Sequence, residues 1–117
     1  MTSNTIEHLD SGEILSQAVA HGDLVYLSGL TASDKSKDVY GQTVEVLAKI
    51  DERLAHFGSD KTKLLSVNIW VPDIATKDDV NRAWTEWLGD LSRPARACVE
   101  SGLAPGILVE IMVTAAR

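Results

Sequence analysis

The chain has 117 residues, of which 44% are hydrophobic and 24% charged, the proportions of a chain that buries a core rather than of a disordered one. Eleven Lys and Arg against seventeen Asp and Glu leave a net charge of −6, and no basic cluster occurs, which argues against general nucleic-acid binding. One cysteine allows no internal disulfide, and no apolar run approaches the roughly 18 residues of a membrane helix.

The first eight residues lack the basic region and apolar run of a signal peptide, so the expectation is a soluble cytoplasmic protein. With no repeat and no Pro/Gly/Ser-rich linker, residues 1–117 are expected to form a single domain. Residues 17–21 and 24–28 are β-prone runs separated by Gly22-Asp23, which predicts a hairpin. Over residues 39–57 the apolar positions Val44, Leu47, Ile50, Leu54 and Phe57 recur at spacings of three and four, with Gly58 behind them, and predict a helix with one buried stripe. Leu65, Val67, Ile69 and Val71 alternate with Ser66, Asn68 and Trp70 before Pro72-Asp73, the pattern of a strand. Thr76 stands where a second helix would be capped, with Val80, Ala83, Trp84, Trp87 and Leu88 on one face and Gly89 as its stop. Short and long β-runs follow at residues 95–99 and 107–115.

The order β-β-α-β-α-β-β predicts an α+β two-layer sandwich with both helices on one face of a mixed sheet. On the last strand Val109, Ile111 and Val113 alternate with Leu108, Glu110, Met112 and Thr114, so the second face is also largely apolar. A further copy of the chain would cover it.

His8, His21, His56 and Cys98 show no metal-ligand spacing, and the eight glycines form no phosphate loop, so neither a metal nor a nucleotide cofactor is expected. Arg96, inside an apolar β-run, either reaches solvent, pairs with Glu100 or Glu110, or clamps a substrate carboxylate with its two-donor fork. Glu110, between Val109 and Ile111, is either an exposed residue of a half-buried strand or a proton carrier facing a pocket. Cys98 reads as a small hydrophobe, and Trp84 and Trp87 read as helix core. These patterns alone leave the function open.

The segments Ser16-Gln17-Ala18-Val19, Gly22-Asp23, Leu27-Ser28-Gly29, Gln42-Thr43, Asn68-Ile69-Trp70-Val71, Val80-Asn81, Pro94-Ala95-Arg96-Ala97-Cys98-Val99 and Val109-Glu110-Ile111 span nearly the whole chain. Together they resemble the Rid/YjgF family, the reactive-intermediate deaminases. The resemblance implies a chorismate-mutase-like, YjgF-like fold in a homotrimer with sites between subunits. It also implies cofactor-free hydrolysis of reactive enamines and imines (2-imino acids) to 2-keto acids and ammonia. By that similarity Arg96 binds the substrate carboxylate with help from the Cys98 backbone, Ser28 and Asn81 complete the pocket, and Glu110 orients the attacking water. Leu15 stands where many relatives carry Tyr, and implies a more apolar substrate-binding wall. An alternative use of the same arginine is a non-catalytic trimeric binding protein or sensor for small carboxylates and keto acids. Ribonuclease activity, attributed to some relatives, is disfavoured by the acidic balance.

Overall fold

The computed structural model describes residues 5–117; residues 1–4, half of the stretch read above for a leader, lie outside the described residues. In chain order the elements are β1 (Ile6–Leu9), β2 (Ala18–His21), β3 (Leu24–Leu27), α1 (Val39–His56), β4 (Leu64–Val71), α2 (Lys77–Leu88), β5 (Ala95–Glu100) and β6 (Glu110–Ala116). The described strands form a six-stranded sheet in the order β1-β2-β3-β6-β4-β5. Neighbours are antiparallel except β4 and β5, the parallel pair joined through α2. The α+β class with a mixed sheet is therefore as expected, with one strand added at the front. β1 escapes the sequence because it is four residues long and three of its side chains are exposed, so it has no apolar rhythm of its own and takes its conformation from pairing with β2.

Local chemistry explains the element ends. Gly22 takes φ +59° in the two-residue turn between β2 and β3. Asp38 caps α1 by accepting from the Gly41 N–H at 2.8 Å, and Gly58 at φ +74° ends it. There the Ser59 N–H reaches the Leu54 carbonyl (2.9 Å) and the Gly58 N–H the Ala55 carbonyl (3.0 Å), the paired bonds of a Schellman stop. Thr76 sits at the start of α2 but does not cap it: its hydroxyl donates to the Asp73 carbonyl at 2.6 Å, leaving Asp78 and Asp79 to complement the positive end of the helix.

Both helices pack on one face of the sheet. Val25, Leu27, Val67, Ile69, Val71, Ile111, Val113 and Ala115 meet Val46, Leu47, Ile50 and Leu54 of α1 and Val80, Ala83, Trp84 and Leu88 of α2 in one core. The α1 stripe is rotated from the expected one. Thr43 and Val46 are buried while Val44 is exposed, because its spacing to Leu47 fits either edge of the stripe and tertiary packing selects the other. Leu65 is likewise exposed: a bulge between Leu64 and Ser66 breaks the alternation there, and it resumes at Val67. Residues 107–109 lie ahead of β6 rather than in it, the Leu108 N–H being taken by the Gln42 side chain at 2.9 Å.

Candidate functional site

Register assigns each site residue to a face. Trp70 pairs with Glu110 and Asn68 with Met112, so Glu110 stands on the face away from the helices. β3 and β6 meet there with a slip: Tyr26 pairs with Thr114 but Leu30 with Ile111, so four residues on one side oppose three on the other. The extra residue lets Leu27 and Leu30 both enter the core, while Ser28 and Gly29 stay out of it. Ser28 donates through Oγ to the Ser16 carbonyl at 2.5 Å and through its N–H to the Gln17 carbonyl at 3.0 Å. Reciprocal bonds of 2.8 and 3.0 Å between Leu30 and Ile111 close the seam. Gly29 and Glu110 thus meet on the open face, with Ser28 next in sequence and turned to the Ser16 carbonyl. Leu15 lies one residue before Ser16 in the loop from β1 to β2 and is half exposed.

Arg96 faces the other way. It is paired with Val67, on the helix side of the edge strand β5. One terminal guanidinium nitrogen donates to Asn81 Oδ1 at 2.7 Å, and the group lies 5.3 Å from the Trp84 ring centroid. The ion pairs considered for it are not made. Glu100 accepts instead from the Ile74 N–H at 3.0 Å, and Glu110 is on the opposite face. Two strand spacings across β4 and three residues along it separate them, so Arg96 and Glu110 are about 14 Å apart at the backbone. Among the described residues no carboxylate pairs with Arg96, which leaves guanidinium donors free in a plane set by Asn81 and Trp84. Cys98, aligned with Ile69, is a half-buried neighbour of Arg96 on the same side of β5.

One chain therefore places Glu110 against Gly29, beside Ser28 and the Ser16 carbonyl that follows Leu15, and separately groups Arg96, Asn81 and Cys98. Two grooves of the chain lie elsewhere: one of about 240 Å³ between the helices, lined by residues including Tyr40, Val44 and Trp87, and one of about 350 Å³ beside Leu9, Arg53 and His56. Among the described residues no group of three or more His, Cys, Asp or Glu side chains could hold a metal ion.

Two supports were not legible as such in the sequence. Gln42, fully buried, donates to the carbonyls of Lys37 (3.1 Å) and Gly106 (3.0 Å) and accepts from the Leu108 N–H, so one amide ties the loop before α1 to the segment leading into Glu110. Glu45 gathers the loop that leaves the β3–β6 seam. It accepts from the N–H groups of Ser33 and Asp34 and pairs with Lys37 and Lys49, each at 3.3 Å. The Ser33 N–H, and then the Asp34 N–H and the two lysines, hold its carboxyl down to about 2. A polar residue at the spacing of the apolar stripe, three after Val39 and four before Val46, is the signal that could have singled out Gln42.

The endoribonuclease L-PSP family profile matches residues 5–117. A RutC family protein of Haemophilus ducreyi is 37% identical over 112 residues, covering 95% of this chain and 96% of its own. The crystal structure of a YjgF-family protein from Neisseria meningitidis superposes with a TM-score of 0.91 at 36% identity, covering 97% of this chain and 96% of that one. A crystal structure from Pseudomonas aeruginosa gives a TM-score of 0.92 at 34% identity, covering 97% and 99%. Among the described residues no helix is long and apolar enough to cross a membrane. With the fold, the length and the profile in agreement from Thr5 to the last residue, the chain belongs to the endoribonuclease L-PSP family, whose members are also called YjgF, Rid and RutC proteins.

Proposed function

We propose that the chain hydrolyses 2-imino acids and their enamine tautomers to 2-keto acids and ammonia, as a homotrimer whose sites lie between copies. The observation that carries this reading is the Arg96 guanidinium, oriented by Asn81 at 2.7 Å and by Trp84, with no carboxylate of the chain against it. A fixed fork with free parallel donors suits a small planar carboxylate. The separation of Arg96 and Glu110 on opposite faces supports a shared site: a second copy laid on the open face would carry its Glu110 to the Arg96 edge of the first. Tyr26, Val99 and Met112, exposed on that face, supply apolar surface for such a contact.

In this arrangement the carboxylate of the imino acid lies on Arg96 and presents its C2=N bond to a water held by Glu110. Glu110 takes a proton from the water as its oxygen bonds to C2, giving a carbinolamine. Glu110 then returns the proton to nitrogen. The carbinolamine hydroxyl gives its own proton to the freed Glu110 carboxylate as the C–N bond breaks and C2=O forms, and the 2-keto acid leaves together with ammonia, which takes that last proton away as ammonium. An iminium carbon is already electrophilic, so positioning and one proton relay supply most of what is needed. Leu15 beside Ser16 would give the site an apolar wall and favour imino acids with hydrocarbon side chains. An RNA substrate finds little support in a chain of net charge −6.

The test generates 2-imino acids with an amino-acid oxidase and follows keto-acid release with and without the protein. Acceleration above spontaneous hydrolysis is expected. Tight keto-acid binding without acceleration for any imino acid would replace the enzyme with a carboxylate-binding protein. A stable monomer in sedimentation at micromolar concentration would remove the shared site.

A further inference from the structure

No donor among the described residues hydrogen-bonds the Glu110 carboxylate, so within the chain its pose is a matter of shape. The shape is supplied by Gly29. A Cβ built on Gly29 would overlap Glu110 Oε2 and stand 3.0 Å from Cδ and 3.3 Å from Cγ, and these are the three atoms nearest to it. Gly22, Gly58, Gly89 and Gly106 have positive φ, but Gly29 does not. The backbone at 29 would accept any residue, and what requires glycine there is the space occupied by the carboxylate. The bulge at 28–29 faces this glycine outward, and the two Leu30–Ile111 hydrogen bonds fix the distance between the strands one step further on.

We infer that Gly29 is a positioning residue for Glu110: the bare backbone of the bulge is a shelf on which the carboxylate lies, and a side chain of any size at 29 turns the carboxylate out of its working direction. This rests on the proton-carrying role proposed for Glu110. The obstacle in Gly29→Ala is the far end of a flexible side chain, so the variant folds with Glu110 turned aside. Arg96, on the other face, is untouched.

The experiment is a double-mutant cycle on imine hydrolysis. Gly29→Ala lowers kcat tenfold or more, with KM and the affinity for a 2-keto acid within twofold of the parent. In a Glu110→Asp background, where the side chain is one methylene shorter and no longer reaches the place where Oε2 overlaps the new methyl, the same change costs less than threefold. If Gly29→Ala also lowers the melting temperature, adding Glu110→Ala restores it. A parental kcat in Gly29→Ala while Glu110→Gln is inactive overturns the role of Gly29 alone. So do additive losses in the cycle, or a melting temperature that Glu110→Ala fails to restore. A parental kcat in Glu110→Gln overturns instead the proton-carrying role on which the inference stands.

Discussion

The two faces of this sheet are built from the same strands and have different fates. Along β4 and β6 the covered face presents Val67, Ile69, Val71, Ile111, Val113 and Ala115, all out of solvent, while the residues between them are Asn68, Trp70, Glu110, Met112 and Thr114. Parity alone separates them, so Glu110 and Ile111 are adjacent in sequence and opposite in role. One face carries the folding energy of the chain, and the other leaves Tyr26, Val99 and Met112 in solvent. A one-residue slip would exchange them, which is why the bulges at Leu65 and at 28–29 matter: each moves the boundary between the two faces at a chosen place.

Truncating neighbouring residues of β6 separates the two faces most widely. Ile111→Ala removes a fully buried side chain and should cost about 2–5 kcal/mol of unfolding free energy. Met112→Ala, next in sequence but 39% exposed, should change folding far less and weaken self-association instead. Chemical denaturation together with sedimentation separates the two. Equal losses of stability with unchanged association would mean that the open face is already a finished surface.

Gln42 is the polar exception within the covered layer. Gln42→Leu keeps the bulk of the side chain and deserts the Leu108 N–H and the carbonyls of Lys37 and Gly106. At about 1–3 kcal/mol for a buried group left unsatisfied, and with part of the loss relieved by loop movement, a destabilisation of about 2–4 kcal/mol is expected in a thermal or denaturant melt. A loss below about 0.5 kcal/mol would show that both loops hold without the amide.

What was legible in the sequence follows the same division. The periodic face is written in residue types: α2 read correctly from Val80, Ala83, Trp84 and Leu88, and β4 from Val67, Ile69 and Val71, because burial on one side imposes a rhythm. Features that depend on a partner strand were not. β1 is held by β2, Val44 and Leu65 were displaced by packing and by a bulge, and nothing in Leu27-Ser28-Gly29-Leu30 signals that two consecutive residues face outward. Arg96 and Glu110 stood out because charges in apolar runs need a reason. Only the register could reveal that they lie on opposite faces, which removes the alternative of an Arg96–Glu110 pair; Glu100, on the same face of β5 as Arg96, is engaged instead by the Ile74 N–H.

Arg96→Lys tests the covered side of the edge strand as a binding element. An ammonium keeps the charge but not the planar fork, and loses either the bond to Asn81 or the paired grip on a carboxylate. Loss of one charge-assisted hydrogen bond, about 1.5–3 kcal/mol, corresponds to roughly a tenfold or greater fall in 2-keto-acid affinity, measured by calorimetry. The melting temperature should barely move. Unchanged affinity would return Arg96 to a structural contact of α2.

The smallest expected effect concerns pH and distinguishes the faces by their protons. Glu45 anchors the loop that leaves the 28–29 bulge, and its carboxyl is lowered from 4.5 to about 2, first by the Ser33 N–H. A folded-state value below the unfolded one means that the unfolded chain binds the proton more readily. The stabilisation is therefore complete above pH 4.5 and disappears as pH falls through 4.5 towards 2. Glu45→Gln should thus be less stable than the parent near neutral pH, with the gap closing across that window. The side chain keeps 17% of its surface exposed and its lysine partners reach solvent, so the gap is expected to be modest and to shrink with added salt. Ile111→Ala removes no titrating group, and its gap should stay flat over the same range. Denaturant midpoints for the three proteins from neutral pH down to pH 2 decide the matter. A Glu45→Gln gap as flat as that of Ile111→Ala would mean that the carboxylate's charge plays no part in holding the loop, and that an amide serves the Ser33 and Asp34 N–H groups equally well.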